Sequence, residues 1–181
     1  PLPLGMTAIA KNIKQLKATL PGGVQLVAVS KTKPKEDLMA AYNAGHRIFG
    51  ENKVQELVEK QEDLPKDITW HFIGHLQTNK VKYIAPFVQL IHAVDSLKLL
   101  KEVNKQAVKY NRTISCLLQV KIAQEDQKFG LPGDQIDALL HQVKTLELSG
   151  VKIVGLMGMA TNTADEKVLR QEFGGLNQLF T

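Results

Sequence analysis

Few residues in this chain could do covalent chemistry. The most suggestive, Lys31, directly follows an apolar run, Val24 to Ser30 (VQLVAVS). A lysine at the end of a buried strand, aimed into the mouth of a sheet, loses hydration on one side. That favours the neutral amine, which can condense with an aldehyde to form a Schiff base. The competing reading is a surface lysine in the solvated loop Lys31-Thr32-Lys33-Pro34-Lys35, the commoner fate of the residue type. Lys33 competes for the same role but lies further from the strand end. Asn52 follows Gly50-Glu51, where its amide could donate to a ligand oxygen or cap the helix that follows. His71 and His75 are four apart, a helical spacing for metal ligands. Yet Trp70-His71-Phe72-Ile73-Gly74 reads as strand, so the two rings face differently and no metal is expected. His46, His92 and His141 have no partner that spacing identifies. No Walker-type loop, G-x-S-x-G or C-x-x-C occurs, which removes the commonest phosphate-loop, esterase and redox readings.

The elements that must position these groups follow a regular rhythm. After a lysine-rich amphipathic helix from Thr7 to Leu20, ended by Pro21-Gly22-Gly23, strand and helix patterns alternate. The strands are Val24–Ser30, Arg47–Gly50, Ile68–Ile73, Gln89–Val94, Thr113–Lys121 and Val151–Met159. The helices are one opened by Pro34 and stopped at Asn43-Ala44-Gly45, then 53–61, 79–87, 97–109, 135–146 and 164–180. Thr163-x-x-Glu166 reads as a capping box for the last of them. Such alternation implies a parallel sheet with right-handed crossovers, either doubly wound or a (β/α) barrel. No G-x-G-x-x-G follows the first strand, which favours the barrel. In both architectures the chemistry sits at the C-terminal strand ends. Those ends carry Lys31, Glu51 and Asn52, His71 to His75, Asp95, Gln119 with Lys121, and Met157 to Ala160.

Composition narrows the setting. The chain has 181 residues, 44% hydrophobic and 23% charged, an ordinary globular profile for one domain. No apolar run approaches the ~18 residues of a membrane span. The single Cys116, inside Ile114-Ser115-Cys116-Leu117-Leu118, reads as a buried core thiol, and a cytoplasmic location is expected. The net charge of +5 comes from six lysines before Glu36, since the remaining 17 bases and 18 acids leave −1. A charge confined to one helix and one loop, with 6% aromatics, argues against a nucleic-acid face. Pro1 to Gly5 read as a cloning remnant before Met6, with residues 6–181 as a single domain.

Several segments together resemble the pyridoxal-phosphate homeostasis protein family (the YggS/PROSC group). They are Ala28-Val29-Ser30-Lys31-Thr32-Lys33-Pro34, Phe49-Gly50-Glu51-Asn52 with Val54-Gln55-Glu56, and Trp70-His71-Phe72-Ile73-Gly74-His75-Leu76-Gln77 with Asn79-Lys80. Lys128-Phe129-Gly130 and Gly155-Leu156-Met157 add to them. The resemblance implies a (β/α)8 TIM barrel like the N-terminal domain of alanine racemase, with only about six of eight β/α units in this chain. It also implies pyridoxal 5′-phosphate held as an internal aldimine on Lys31, with Asn52 on the cofactor side and His71 and Met157 lining the pocket. The family is regarded as a factor in vitamin B6 and amino-acid/keto-acid homeostasis, without an established reaction of its own.

A physical argument points the same way. A racemase needs acid/base groups on both faces of its substrate adduct, one of them from a second domain, and a barrel alone leaves the cofactor open to water. The expectation is therefore a non-catalytic carrier, with apo-enzymes as recipients, a monomer without nucleic-acid or membrane partners. A pyridoxal-phosphate-dependent racemase or lyase is the alternative. One departure stands out: the family's phosphate-binding stretches, Ser-Met-Gly-Met-Ser and Arg-Ile-Gly on the seventh and eighth strands, do not occur. The natural protein is expected to continue past Thr181 with those units.

Overall fold

The computed structural model describes residues 7–124, 126 and 129–181. Pro1 to Met6 and Lys128 of the Lys-Phe-Gly motif lie outside the described residues. Helix α1 (Ala8–Thr19) opens where the Thr7 hydroxyl accepts from the Ala10 N–H at 3.1 Å. Then follow β1 (Ala28–Val29), α2 (Lys35–Asn43), β2 (Ile48–Glu51), α3 (Val54–Asp63), β3 (Thr69–Phe72), α4 (Val81–Ile84), β4 (Leu90–Val94), α5 (Leu97–Lys109), β5 (Ile114–Val120), α6 (Ile136–Thr145), β6 (Val151–Gly158) and α7 (Glu166–Phe180).

Every strand bonds to the next one in the chain, all parallel, in the order β1-β2-β3-β4-β5-β6. A doubly wound sheet would reverse its order at a switch point. A sheet that adds each strand on the same side through right-handed crossovers keeps its helices on one face and curls as a (β/α) barrel does. Helix α1 packs on α2, and α3 to α6 pack each on the next, accordingly. The dry core lies between that helix layer and the sheet, where Phe49, Trp70, Phe72, Ile91 and Leu118 meet Leu38, Leu57, Ile84 and Leu100. Cys116 is fully buried there, its thiol pushed up to about 12 by burial, so it is an inert core group as its apolar context implied. No helix among the described residues is long and apolar enough to cross a membrane.

Three elements differ from their sequence patterns. The first strand shrinks from 24–30 to Ala28–Val29 because β2 starts only at Ile48, leaving residues 24–26 without a neighbour to bond. The helix read over 79–87 begins instead as a 3-10 turn, Thr78–Lys80, and α4 then stops at Ile84, because Pro86 has no N–H to continue the ladder. The last helix is capped by Asp165, whose carboxylate accepts from Lys167 N–H at 2.9 Å, while Thr163 accepts from Asp165 N–H. The capping box read at Thr163 is thus replaced by a cap two residues later.

Candidate functional site at the strand ends

Parallel register decides which side chains share a face. Ala28 pairs with Phe49, Val29 with Gly50, Gly50 with His71, and His71 with Leu90. Phe49 and Trp70 belong to the helix-facing core, so Gly50, His71 and Leu90 face the barrel interior. The same alternation turns Ser30 outward, where its hydroxyl donates to Glu51 at 2.8 Å, and Lys31 follows in the turn after the strand end. On β6, Met157 pairs with Gln119 and stands opposite to Leu118 and Leu156, which pack on the helix side. Lys31 and Met157 thus lie at opposite edges of the six-strand sheet, Asn52 and His71 nearer Lys31.

Lys31 is exposed, so the described residues do not supply the one-sided burial its strand-end position suggested. Among them its amine has no hydrogen-bond or ion-pair partner. Its backbone, in contrast, is tightly held. The Lys60 ammonium, 5% exposed, donates to the Ser30 carbonyl at 2.7 Å, to Glu51 Oε1 at 2.7 Å and to Glu56 Oε1 at 2.8 Å. Glu56 Oε1 in turn accepts from the Thr32 N–H at 2.5 Å. Thr32 adopts φ of 63°, a left-handed conformation rare for a β-branched residue. Glu51 is completely buried, and burial pushes its carboxyl up against the opposing pull of Lys60 and Ser30. Partial burial acts to raise Glu56 too, but Lys60 and the Thr32 N–H outweigh it and hold that carboxyl low.

Asn52 is half-buried and is not a helix cap: α3 is preceded by Lys53 in extended conformation, with no side-chain cap. Its amide instead rests on Gly74. A Cβ at Gly74 would overlap Asn52 Oδ1 and come within 2.7 Å of the Asn52 carbonyl oxygen. The glycine of the Trp-His-Phe-Ile-Gly run is therefore what lets Asn52 sit at the strand end. The mouth beside Asn52 is lined by Gln55, His75, Gln77 and Lys80, with the His75 ring stacked on Phe129 at 3.8 Å. Across the mouth, the Gly130 N–H donates to Asp95 at 3.0 Å.

His71 is buried and its Nδ1 lies 3.0 Å from Nε2 of His92. Burial pushes both imidazoles down, and His92 beside it adds to the effect on His71, lowered to about 4. Two neutral rings can share one hydrogen, a donor on one side and an acceptor on the other. Spacing could not find this pair, because 21 residues and a crossover helix separate rings that adjacent strands bring together. No group of three or more His, Cys, Asp or Glu among the described residues could hold a metal ion.

An exposed amine, an amide and a neutral imidazole pair thus lie at or near the C-terminal strand ends. The sequence pattern of the alanine racemase N-terminal domain matches residues 5–180. The pyridoxal phosphate homeostasis protein of Aquifex aeolicus is 40% identical over 156 residues, spanning 86% of this chain and 68% of that one. PipY of Synechococcus elongatus, solved with PLP bound, superposes with a TM-score of 0.85 at 35% identity over 95% of this chain and 80% of its own. Alanine racemase of Bartonella henselae shares the fold alone, at 16% identity and a TM-score of 0.73 over 96% of this chain and 50% of its own. Strand order, strand-end residues and these likenesses agree: the chain belongs to the pyridoxal phosphate homeostasis protein family, built on the alanine racemase N-terminal-domain fold.

Proposed function

We propose that this protein binds pyridoxal 5′-phosphate at the strand ends, with Lys31 as the residue of attachment, and serves as a carrier in vitamin B6 homeostasis. When bound, the cofactor supplies an electrophilic aldehyde carbon to which a neutral lysine amine can join with loss of water. The observation that carries the reading is the accessible amine of Lys31, without a partner among the described residues, on a backbone fixed by a buried cluster. Asn52, packed closely on Gly74, offers an amide donor from the neighbouring strand end, and His71 offers a neutral ring deeper on the interior face. Met157 lines the far edge. A carrier needs reversible attachment and access more than it needs shielded acid/base groups, and the exposure of Lys31 serves access. The reading includes a cytoplasmic setting, a monomer, and apo-enzymes as recipients of the cofactor.

The test is direct. The protein is incubated with pyridoxal 5′-phosphate, fixed with borohydride and digested, and the labelled peptide is identified by mass spectrometry. Label on Lys31, lost in Lys31→Ala and kept in Lys33→Ala, is the expected result. Label spread over surface lysines, unchanged in Lys31→Ala, would refute the assignment.

A further inference from the structure

Lys31 has two peptide groups, and both end on one cluster. The peptide on its N-terminal side presents the Ser30 carbonyl, which accepts from Lys60 Nζ at 2.7 Å. The peptide on its C-terminal side presents the Thr32 N–H, which donates to Glu56 Oε1 at 2.5 Å. Those two side chains are bonded to each other at 2.8 Å, one helical turn apart on α3. Lys60 also reaches Glu51 at the end of β2, and Glu51 closes the ring by accepting from the Ser30 hydroxyl. All three ammonium hydrogens of Lys60 are thereby used.

A buried lysine with two carboxylates is a costly device for stability alone, because desolvating the charges offsets much of their attraction. What the cluster does secure is geometry. It holds φ and ψ of Lys31 from both sides and keeps Thr32 left-handed at φ of 63°. The residue it fixes is Lys31, whose side chain is exposed and has no partner among the described residues.

We propose that Lys60, Glu56 and Glu51 form a positioning cluster for Lys31, acting on its backbone and not on the cofactor itself. The proposal rests on Lys31 as the attachment site, and the two can fail separately. Glu56 is the informative position, since its side chain is 22% exposed and its removal leaves Lys60 still paired with Glu51. Glu56→Gln keeps an acceptor for the Thr32 N–H, whereas Glu56→Ala removes it.

The assay is borohydride fixation of pyridoxal 5′-phosphate on the whole chain over a range of cofactor concentrations, with label at Lys31 quantified by mass spectrometry and folding followed by thermal melting. Glu56→Ala should need on the order of tenfold more cofactor for half-labelling of Lys31. It should keep a cooperative melt, while Glu56→Gln restores labelling toward that of the parent. Lys60→Met should lower labelling further; should it fail to fold, the two Glu56 variants decide the matter. Labelling of Lys31 in Glu56→Ala equal to the parent would overturn the positioning role while leaving the attachment site intact. Equal loss in Glu56→Ala and Glu56→Gln would overturn it as well, since geometry would then not be what the cluster supplies. Persistence of all label in Lys31→Ala would instead overturn the attachment reading.

Discussion

Lowering the pH from 7 to about 4.5 should weaken the fold through the imidazole pair on the interior face, and His71→Asn should blunt that loss. His71 has an ordinary value of 6.5 and is lowered to about 4 by burial and by His92. Between those values the unfolded chain binds more protons than the native one. The stabilisation is therefore complete above pH 6.5 and disappears as pH falls toward about 4. That interval corresponds to about 3 kcal/mol, a large share of a typical domain stability of about 5–15 kcal/mol. Glu56 and Glu172 are held low by their partners, so their contribution is present above the ordinary carboxyl value of 4.5 and is lost as pH falls through it, alike in parent and variant. His46, lowered by burial, acts in the same sense as His71, whereas Glu51, raised by burial, acts in the opposite one. Both terms are common to parent and variant and cancel in the comparison. Urea unfolding followed by circular dichroism at about pH 7, 6, 5 and 4.5 gives the two slopes. The variant's loss of stability over that range should be smaller than the parent's by about 2 kcal/mol. Parallel slopes would refute the reasoning, because they would mean that His71 is not held neutral by its surroundings.

Two substitutions at glycine test opposite packing arguments. Gly74→Ala should cost about 1–3 kcal/mol, because the new methyl meets Asn52 on both its amide and its carbonyl oxygen. The same variant should weaken cofactor attachment, and melting temperature together with borohydride labelling reads both effects. In α7, a methyl at Gly174 or Gly175 meets nothing within 4 Å. Either change to Ala should stabilise the helix by about 1 kcal/mol, visible as a higher urea midpoint; a lower one would show that these positions serve something other than helix formation.

The alternating pattern gave the architecture away because strands and helices of this fold differ in period. α5 matches its sequence pattern at both ends, Leu97 to Lys109, with Ser96 as its cap. The strand-end residues were legible for the same reason, as a parallel sheet collects all its C-terminal ends on one side. What spacing could not show is partnership across crossovers. Glu56 and Lys60 carry a visible i,i+4 signal, yet that signal ordinarily marks a solvated helix face. Only the packing of α3 against the end of β2 buries it under the Ser30 loop. His71 and His92 were each unremarkable for the same reason. Boundaries slipped where a neighbour or a proline decided the outcome, as at β1 and α4.

Everything that sets the backbone of Lys31 lies within the first 60 residues: Ser30, Thr32, Glu51, Glu56 and Lys60. Strand order follows chain order as well, so each strand from β2 to β6 has a partner already synthesised when it leaves the ribosome. Sheet growth of this kind waits for no distant segment, and domains formed during translation gain from early, local closure. The lysine loop can thus be set while most of the barrel is still being made, and the later strands arrive at a reactive end whose geometry is already fixed.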